Sequence, residues 1–206
     1  MVRVYSIDGV TPVVDPTAFV HPSATLIGDV IVGPGAYIGP SASLRGDFGR
    51  VVVGPGANVQ DCCIVHSFPG ADAVIDEDGH IGHGAVIHAA WICRGALVGM
   101  NAVINDNAVV GELAIVAALA FVKANTNVPA RHLVAGIPAK VMRELTEQEI
   151  AWKKDATRQY QALAVRSLRT MTETVALAAV EPDRRRLELG EVIPLSEWKA
   201  KYTAGG

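Results

Sequence analysis

Aromatic residues are scarce. Only 5% of the 206 residues are Phe, Trp or Tyr, although half of the chain is hydrophobic. A core with so little ring volume must be narrow and built from Val, Ile, Leu and Ala. Cysteine is scarce too: Cys62, Cys63 and Cys93 are odd in number and form no CxxC pair. That excludes a disulfide framework and points to the cytoplasm. Neither sign of charge dominates, with 18 Lys and Arg against 21 Asp and Glu and a net charge of −3. No nucleic acid partner is expected from such a balance. The longest apolar run, Leu113 to Val122, is far short of the roughly 20 residues that a membrane helix needs. No basic stretch followed by an apolar one opens the chain, so neither a signal peptide nor a membrane partner is expected.

What is present is a repeat. Val20, Leu26, Val32, Ile38 and Leu44 fall at a fixed spacing, which resumes at Val53, Val59 and Val65, again at Ile81 and Ile87, and then from Ile92 through Val98, Ile104, Val110 and Val116 to Val122. Small residues recur four places after the aliphatic one, as at Ala24, Ala36, Ala57, Ala85, Ala102 and Ala114. Gly often follows it directly, as at Gly33, Gly39, Gly54, Gly82, Gly99 and Gly111. Neither helical periodicity nor simple alternation fits. A short strand followed by a corner does, with the aliphatic residue inward, the small residue easing the corner and Gly supplying unusual backbone angles. Three units make a triangular coil of roughly 18 residues, and stacked coils bury one another's inward residues. The pattern resembles the hexapeptide-repeat family, which implies an all-β solenoid, a left-handed parallel β-helix. The left hand is implied by the resemblance alone, since crossovers generally prefer the right.

The solenoid is expected over residues 10–142. Thr146-Glu147-Gln148-Glu149 has the form of a capping box. Helical spacing through Ile150, Tyr160, Leu163, Leu168, Met171 and Val175 predicts one helix over 146–177, packed on the prism or on a neighbouring subunit. A partly irregular tail, 178–206, follows. Its run Arg184 to Arg186 is expected to be solvated rather than bound to phosphate.

Three histidines carry the chemistry. His66 follows Val65 and His88 follows Ile87, the same position after an inward residue. If Ser67 to His80 bulges outward, both lie on one face a coil apart. His83 falls two places after Ile81 and projects elsewhere. A third ligand from a neighbouring subunit would complete a three-imidazole site with one open position, the arrangement of catalytic zinc. Spacing alone leaves a second option open, three solvated imidazoles on a flat face. Arg45 shares the position of His66 and His88, and Arg45, Asp47 and Asp61 suit ion pairing within or between subunits. Gln60 could orient a metal-bound water. Cys62, close by, is open to either a small buried role or a nucleophilic one. His21, His80 and His132 are expected at the surface or at corners.

The order Arg45-Gly46-Asp47, Gln60-Asp61, His66, Gly82-His83, His88 resembles the γ-class carbonic anhydrase family over roughly residues 10 to 142. The resemblance implies a homotrimer with the metal between subunits. His66 and His88 would come from one subunit and His83 from the next, Arg45 and Asp47 would form an interface pair, and Gln60 would touch the metal-bound water. Zn2+ is expected, with Fe2+ or Co2+ suited to the same ligands. Further stretches narrow the likeness: Leu26 to Ile31, Ser43 to Arg50, Ala96 to Asn101, Gln148 to Lys154 and Val180 to Leu187. They resemble the PaaY-type thioesterases of phenylacetate catabolism, to which the carnitine-operon CaiE family is close. That likeness implies a metal-dependent hydrolase in which a metal-bound hydroxide cleaves CoA thioesters of ring-hydroxylated phenylacetyl groups. Phe48 stands where the anhydrase prototype has a shuttle Glu, and the acids Asp72, Asp76, Glu77 and Asp78 have no clear counterpart. Trp91 either narrows an acyl pocket or covers an interface. The alternatives are a γ-class carbonic anhydrase, a hexapeptide acyltransferase using a His base, and a non-catalytic CaiE-like accessory protein. Val134 to Lys140 suits any of them.

Overall fold

The computed structural model describes residues 2–187 and residue 197. The chain winds into about seven coils of a left-handed parallel β-helix and ends in one helix, Glu147–Thr170. Short strands stack in parallel register, as in Leu97 over Ile115 over Leu133. Two long strands, Thr25–Val32 and Ser43–Val53, turn a corner without a break and join two faces of the prism into one sheet. The third face is a separate sheet, closed at its end by the antiparallel strand Ala139–Glu144. The first coil begins at Arg3, which pairs with Thr25, ahead of the expected start at residue 10. Val4 and Tyr5 in that strand are exposed, so no inward residue marked it.

The repeat does what its spacing predicts. Leu26, Ile38, Leu44, Ile81, Ile87, Ile92 and Ile104 are fully buried, as are Ala24, Ala36, Ala85, Ala102 and Ala114. Each buried aliphatic side chain contributes about 1.5–3 kcal/mol of transfer free energy. The glycines after them act differently from expectation. They keep ordinary backbone angles, and the left-handed angle falls two residues later, on Gly35, Ser41, Gly56, Gly84, Asn101 and Leu113. What requires Gly99 is the next coil: a Cβ there would lie 2.5 Å from the Ala118 amide nitrogen. The expected bulge from Ser67 to His80 is also shorter. Ala73–Ile75 is a regular strand and Ile75 is a core residue, so only the stretch before it loops out.

The outward column of the third face runs Phe19, Tyr37, Asn58, His80, Leu97. This face is the one the helix covers. Phe19 stacks on Tyr37 at 5.5 Å, and Tyr160 meets Tyr37 at 5.3 Å. The capping box is formed: Thr146 Oγ1 accepts from the Glu149 amide, and the Thr146 amide donates to the Glu149 carboxylate. The buried line of the helix is Ile150, Lys153, Thr157, Ala164 and Ser167, more polar than the apolar spacing suggested. The helix stops at Thr170 and not at 177. Thr172, Thr174 and Val175 are β-branched and exposed there, so neither propensity nor packing extends it. Residues 171–187 are exposed and irregular, and among the described residues Arg184 pairs with Glu181. The rest of the expected tail, apart from residue 197, lies outside the described residues. Among the described residues no helix is long and apolar enough to cross a membrane.

Candidate functional site

One outward column of the prism carries Ile27, Arg45, His66 and His88 in register. His66 and His88 are therefore one coil apart on one face. The Nδ1 of His66 and the Nε2 of His88 face each other at 3.3 Å. Their outer nitrogens hold carboxylates: His66 Nε2 donates to Asp47 Oδ1 at 3.0 Å, and His88 Nδ1 donates to Asp106 Oδ1. Arg45 in turn pairs with Asp47 at 2.7 Å. With each proton placed toward a carboxylate, the two facing nitrogens present lone pairs to each other. Two lone pairs at this distance repel unless a cation lies between them.

The separation has a chemical meaning. Zn–N bonds of about 2.0–2.1 Å at a tetrahedral angle place two ligand nitrogens about 3.3–3.4 Å apart. The pair therefore fits a divalent ion, and the carboxylates behind it are the outer partners that metal-bound imidazoles usually have. Among the described residues no group of three His, Cys, Asp or Glu side chains converges on one ion within the chain. Phe48 lies against His66 at 5.5 Å and Phe68 against His88 at 6.2 Å, giving the pair an apolar rim.

His83 is elsewhere. It lies beyond the strand His80–Ile81 on the helix-covered face, where its Nδ1 meets Asp61 at 2.6 Å and its Nε2 meets the Tyr160 hydroxyl at 3.4 Å. Gln60 is buried on the same face. Its amide donates to Asn58 Oδ1 at 2.9 Å and to His80 Nε2 at 2.8 Å. So the structure gathers the predicted residues into two groups: Arg45, Asp47, His66 and His88 on one face, and Gln60, Asp61 and His83 on another.

His80 was expected at the surface or a corner and is instead buried under the helix, with Thr157 Oγ1 3.3 Å from its Nδ1. Burial, with the Lys153 and His83 charges adding to it, lowers its pKa to about 3, so the ring is neutral. Burial raises the Tyr160 phenol to about 12. Cys63 is buried and its thiol is pushed up to about 11 by desolvation, while Cys62 is an exposed corner residue. Trp91 sits on the adjacent face and donates from Nε1 to Asp76 at 2.7 Å, which removes it from the His66–His88 rim. Asp106, Tyr160 and Asn58 were missed in the sequence. For Asp106 a signal existed, since it lies 18 residues after His88, one coil on.

Fold and column together define a hexapeptide-repeat protein with paired imidazoles on one outward face. At 53% identity the chain is similar to the carnitine operon protein CaiE of a Proteus strain, over 89% of this chain and 93% of that protein. The CaiE protein of Salmonella newport is 54% identical over the same shares. The chain belongs to the CaiE family. No family model matches it. Among solved structures, a Bacillus cereus protein described as a candidate acetyltransferase is 32% identical, covering 80% of this chain and 95% of that one with a TM-score of 0.79. A hexapeptide transferase family protein from Anaplasma phagocytophilum is 38% identical, covering 79% and 96%, with a TM-score of 0.76.

Proposed function

We propose that the protein moves the acyl group of a CoA thioester at the His66–His88 pair. The observation that supports this most is the likeness, over about four fifths of the chain, to a candidate acetyltransferase and to a hexapeptide transferase family protein, at 32% and 38% identity. On that likeness the acceptor is an amine or hydroxyl, and one imidazole serves as general base. His88 suits that part, because its Nδ1 is held by Asp106 and its Nε2 is left as the basic atom.

One measurement favours a second reading, in which water is the acceptor. The 3.3 Å between His66 Nδ1 and His88 Nε2 is a metal-ligand spacing. Zinc held there would lower the pKa of a bound water to about 7 and so supply a nucleophile at neutral pH. Asp47 and Asp106 then fix the ring tautomers, and Phe48 and Phe68 limit water around the pair. His83 would join as the third ligand from a neighbouring copy in a homotrimer, and Gln60 and Asp61 would come to the site with it. The acyl group expected on this branch is a ring-hydroxylated phenylacetyl, which rests on sequence resemblance alone. Carbonic anhydrase activity is the weaker alternative, because Phe48 carries no proton where a shuttle group belongs.

The deciding experiment pairs metal analysis of the purified protein with a CoA-release screen, run with and without added amines and alcohols. CoA release that depends on an acceptor, in metal-free protein, supports transfer. Release without acceptor that follows metal content supports hydrolysis. No release from any acyl-CoA, including hydroxylated phenylacetyl-CoA, points to a non-catalytic accessory role.

A further inference from the structure

Beside the helix, a cavity of about 300 Å³ opens between it and a corner of the prism. Asp78, Gly95 and Leu113 form the corner, and Lys153, Lys154, Thr157, Arg158 and Gln161 form the helix side. Arg94 and Glu112 complete the wall, paired with each other. Four of the lining side chains are cationic and two are acidic.

Lys153 is the unusual member. It is 1% exposed, and among the described residues its ammonium donates to one acceptor, the Asp78 carbonyl, at 2.8 Å. An ammonium has three N–H donors, and a buried charge without full partners is costly. Burial accordingly lowers its pKa to about 8. Lys154 has no ion pair among the described residues, while Arg158 is tied to Asp155 on its exposed side. A Met or Leu in place of Lys153 would anchor the helix more cheaply than a half-satisfied ammonium. An anion in the cavity would supply the missing acceptors.

We propose that this cavity is an anion site that takes phosphate groups, and that its ligand is the phosphorylated end of the CoA thioester. The second half rests on the acyl-CoA function proposed above. On the reading in which His83 joins the histidine pair of a neighbouring copy, the placement suits it, because Tyr160 and Gln161 are neighbours on the helix, and the first faces His83 while the second lines the cavity.

Inorganic pyrophosphate, CoA and unphosphorylated pantetheine are titrated calorimetrically into the full chain, with Lys153→Met and the double variant Arg94→Gln/Lys154→Gln beside it. Wild type is expected to bind pyrophosphate and CoA competitively and pantetheine far less. A charge-assisted hydrogen bond of about 1.5–3 kcal/mol implies a loss of about 10- to 100-fold in Lys153→Met. The double variant changes only exposed cations, so it carries the test if Lys153→Met does not fold. Wild type that binds no pyrophosphate, or variants that bind it unchanged, would overturn the site without touching the acyl-transfer reading. Pyrophosphate binding that CoA does not displace would reject CoA as the ligand, and CoA turnover in that same preparation would leave the proposed function standing.

Discussion

His66 and His88 stand one coil apart in parallel register, each backed by a carboxylate, with facing ring nitrogens 3.3 Å from each other. The solenoid makes this relationship rigid. Neither ring rides on a loop, and Val65 and Ile87 beside them are core residues. The two imidazoles are held at ligand spacing by the same stacking that builds the core, so an ion bound there would need little reorganisation.

That geometry predicts what Asp106 does. In Asp106→Asn the His88 ring loses the anion that fixes its proton on Nδ1. Affinity for zinc, measured by competition with a chromophoric chelator, should fall about 10- to 100-fold, the usual cost of losing an outer partner. His66→Ala should lose at least as much. The fold should survive both changes, because neither residue is part of the inward repeat. Unaltered zinc affinity in Asp106→Asn would show that the pair is not a metal site.

Assembly should follow from the position of His83. It shares a face with Asp61 and Tyr160 and not with the pair. If it completes the site from a neighbouring copy, the protein is a homotrimer, and His83→Ala removes metal without altering the coil. Sizing chromatography with light scattering reads the first outcome and metal analysis the second. A monomer that binds one ion per chain as tightly as any trimer would refute sharing.

The solenoid was legible because its signal repeats many times over. A single rule, an inward aliphatic residue with a small residue commonly four places on, recurs along the coils from Leu26 to Val122. The register of His66 with His88 was legible for the same reason. The first strand was not, because Val4 and Tyr5 bury nothing. The end of the helix was not, because apolar residues such as Met171 and Val175 keep the spacing while lying in solvent. The grouping of Asn58, Gln60, His80 and Thr157 was hidden for another reason. It joins the prism to a helix 77 residues away from His80, and no local pattern reports such a pairing.

His80 should set the acid sensitivity of the protein. Its folded pKa is about 3 because of burial, while an unfolded imidazole titrates near 6.5. Between these values the unfolded chain binds a proton that the folded chain does not. Stability is therefore complete above about pH 6.5 and declines as pH falls toward 3. The slope approaches about 1.4 kcal/mol per pH unit from this one group. Urea denaturation at pH 7 and pH 5 should show a marked loss in wild type and a smaller one in His80→Gln, which keeps an amide against Gln60. Equal losses in the two proteins would mean that His80 is not buried as a neutral ring.

The final expectation links the backbone to the site. Gly46 lies between Arg45 and Asp47, and a Cβ on it would meet the Asp29 carbonyl oxygen at 2.2 Å. A Cβ on the facing Gly28 would meet the Gly46 carbonyl oxygen at 2.5 Å. The two glycines let adjacent coils touch backbone to backbone where the register of these strands shifts. Gly46→Ala must push the coils apart or move Asp47, because the obstructing atom is backbone and cannot rotate away. Overpacking of this kind costs about 1–3 kcal/mol. Asp47 holds His66, so the local shift should also displace that ring from His88. Circular dichroism should still report a β-solenoid, since the coils beyond Gly46 keep their own stacking. Metal affinity should nevertheless fall, and CoA-thioester turnover with it. A further change, Asp47→Asn, made in the Gly46→Ala background should then cost little more, because the contact it removes is already broken. Additive losses in that double variant would show that Gly46 acts on the fold and not through Asp47 on the histidine pair.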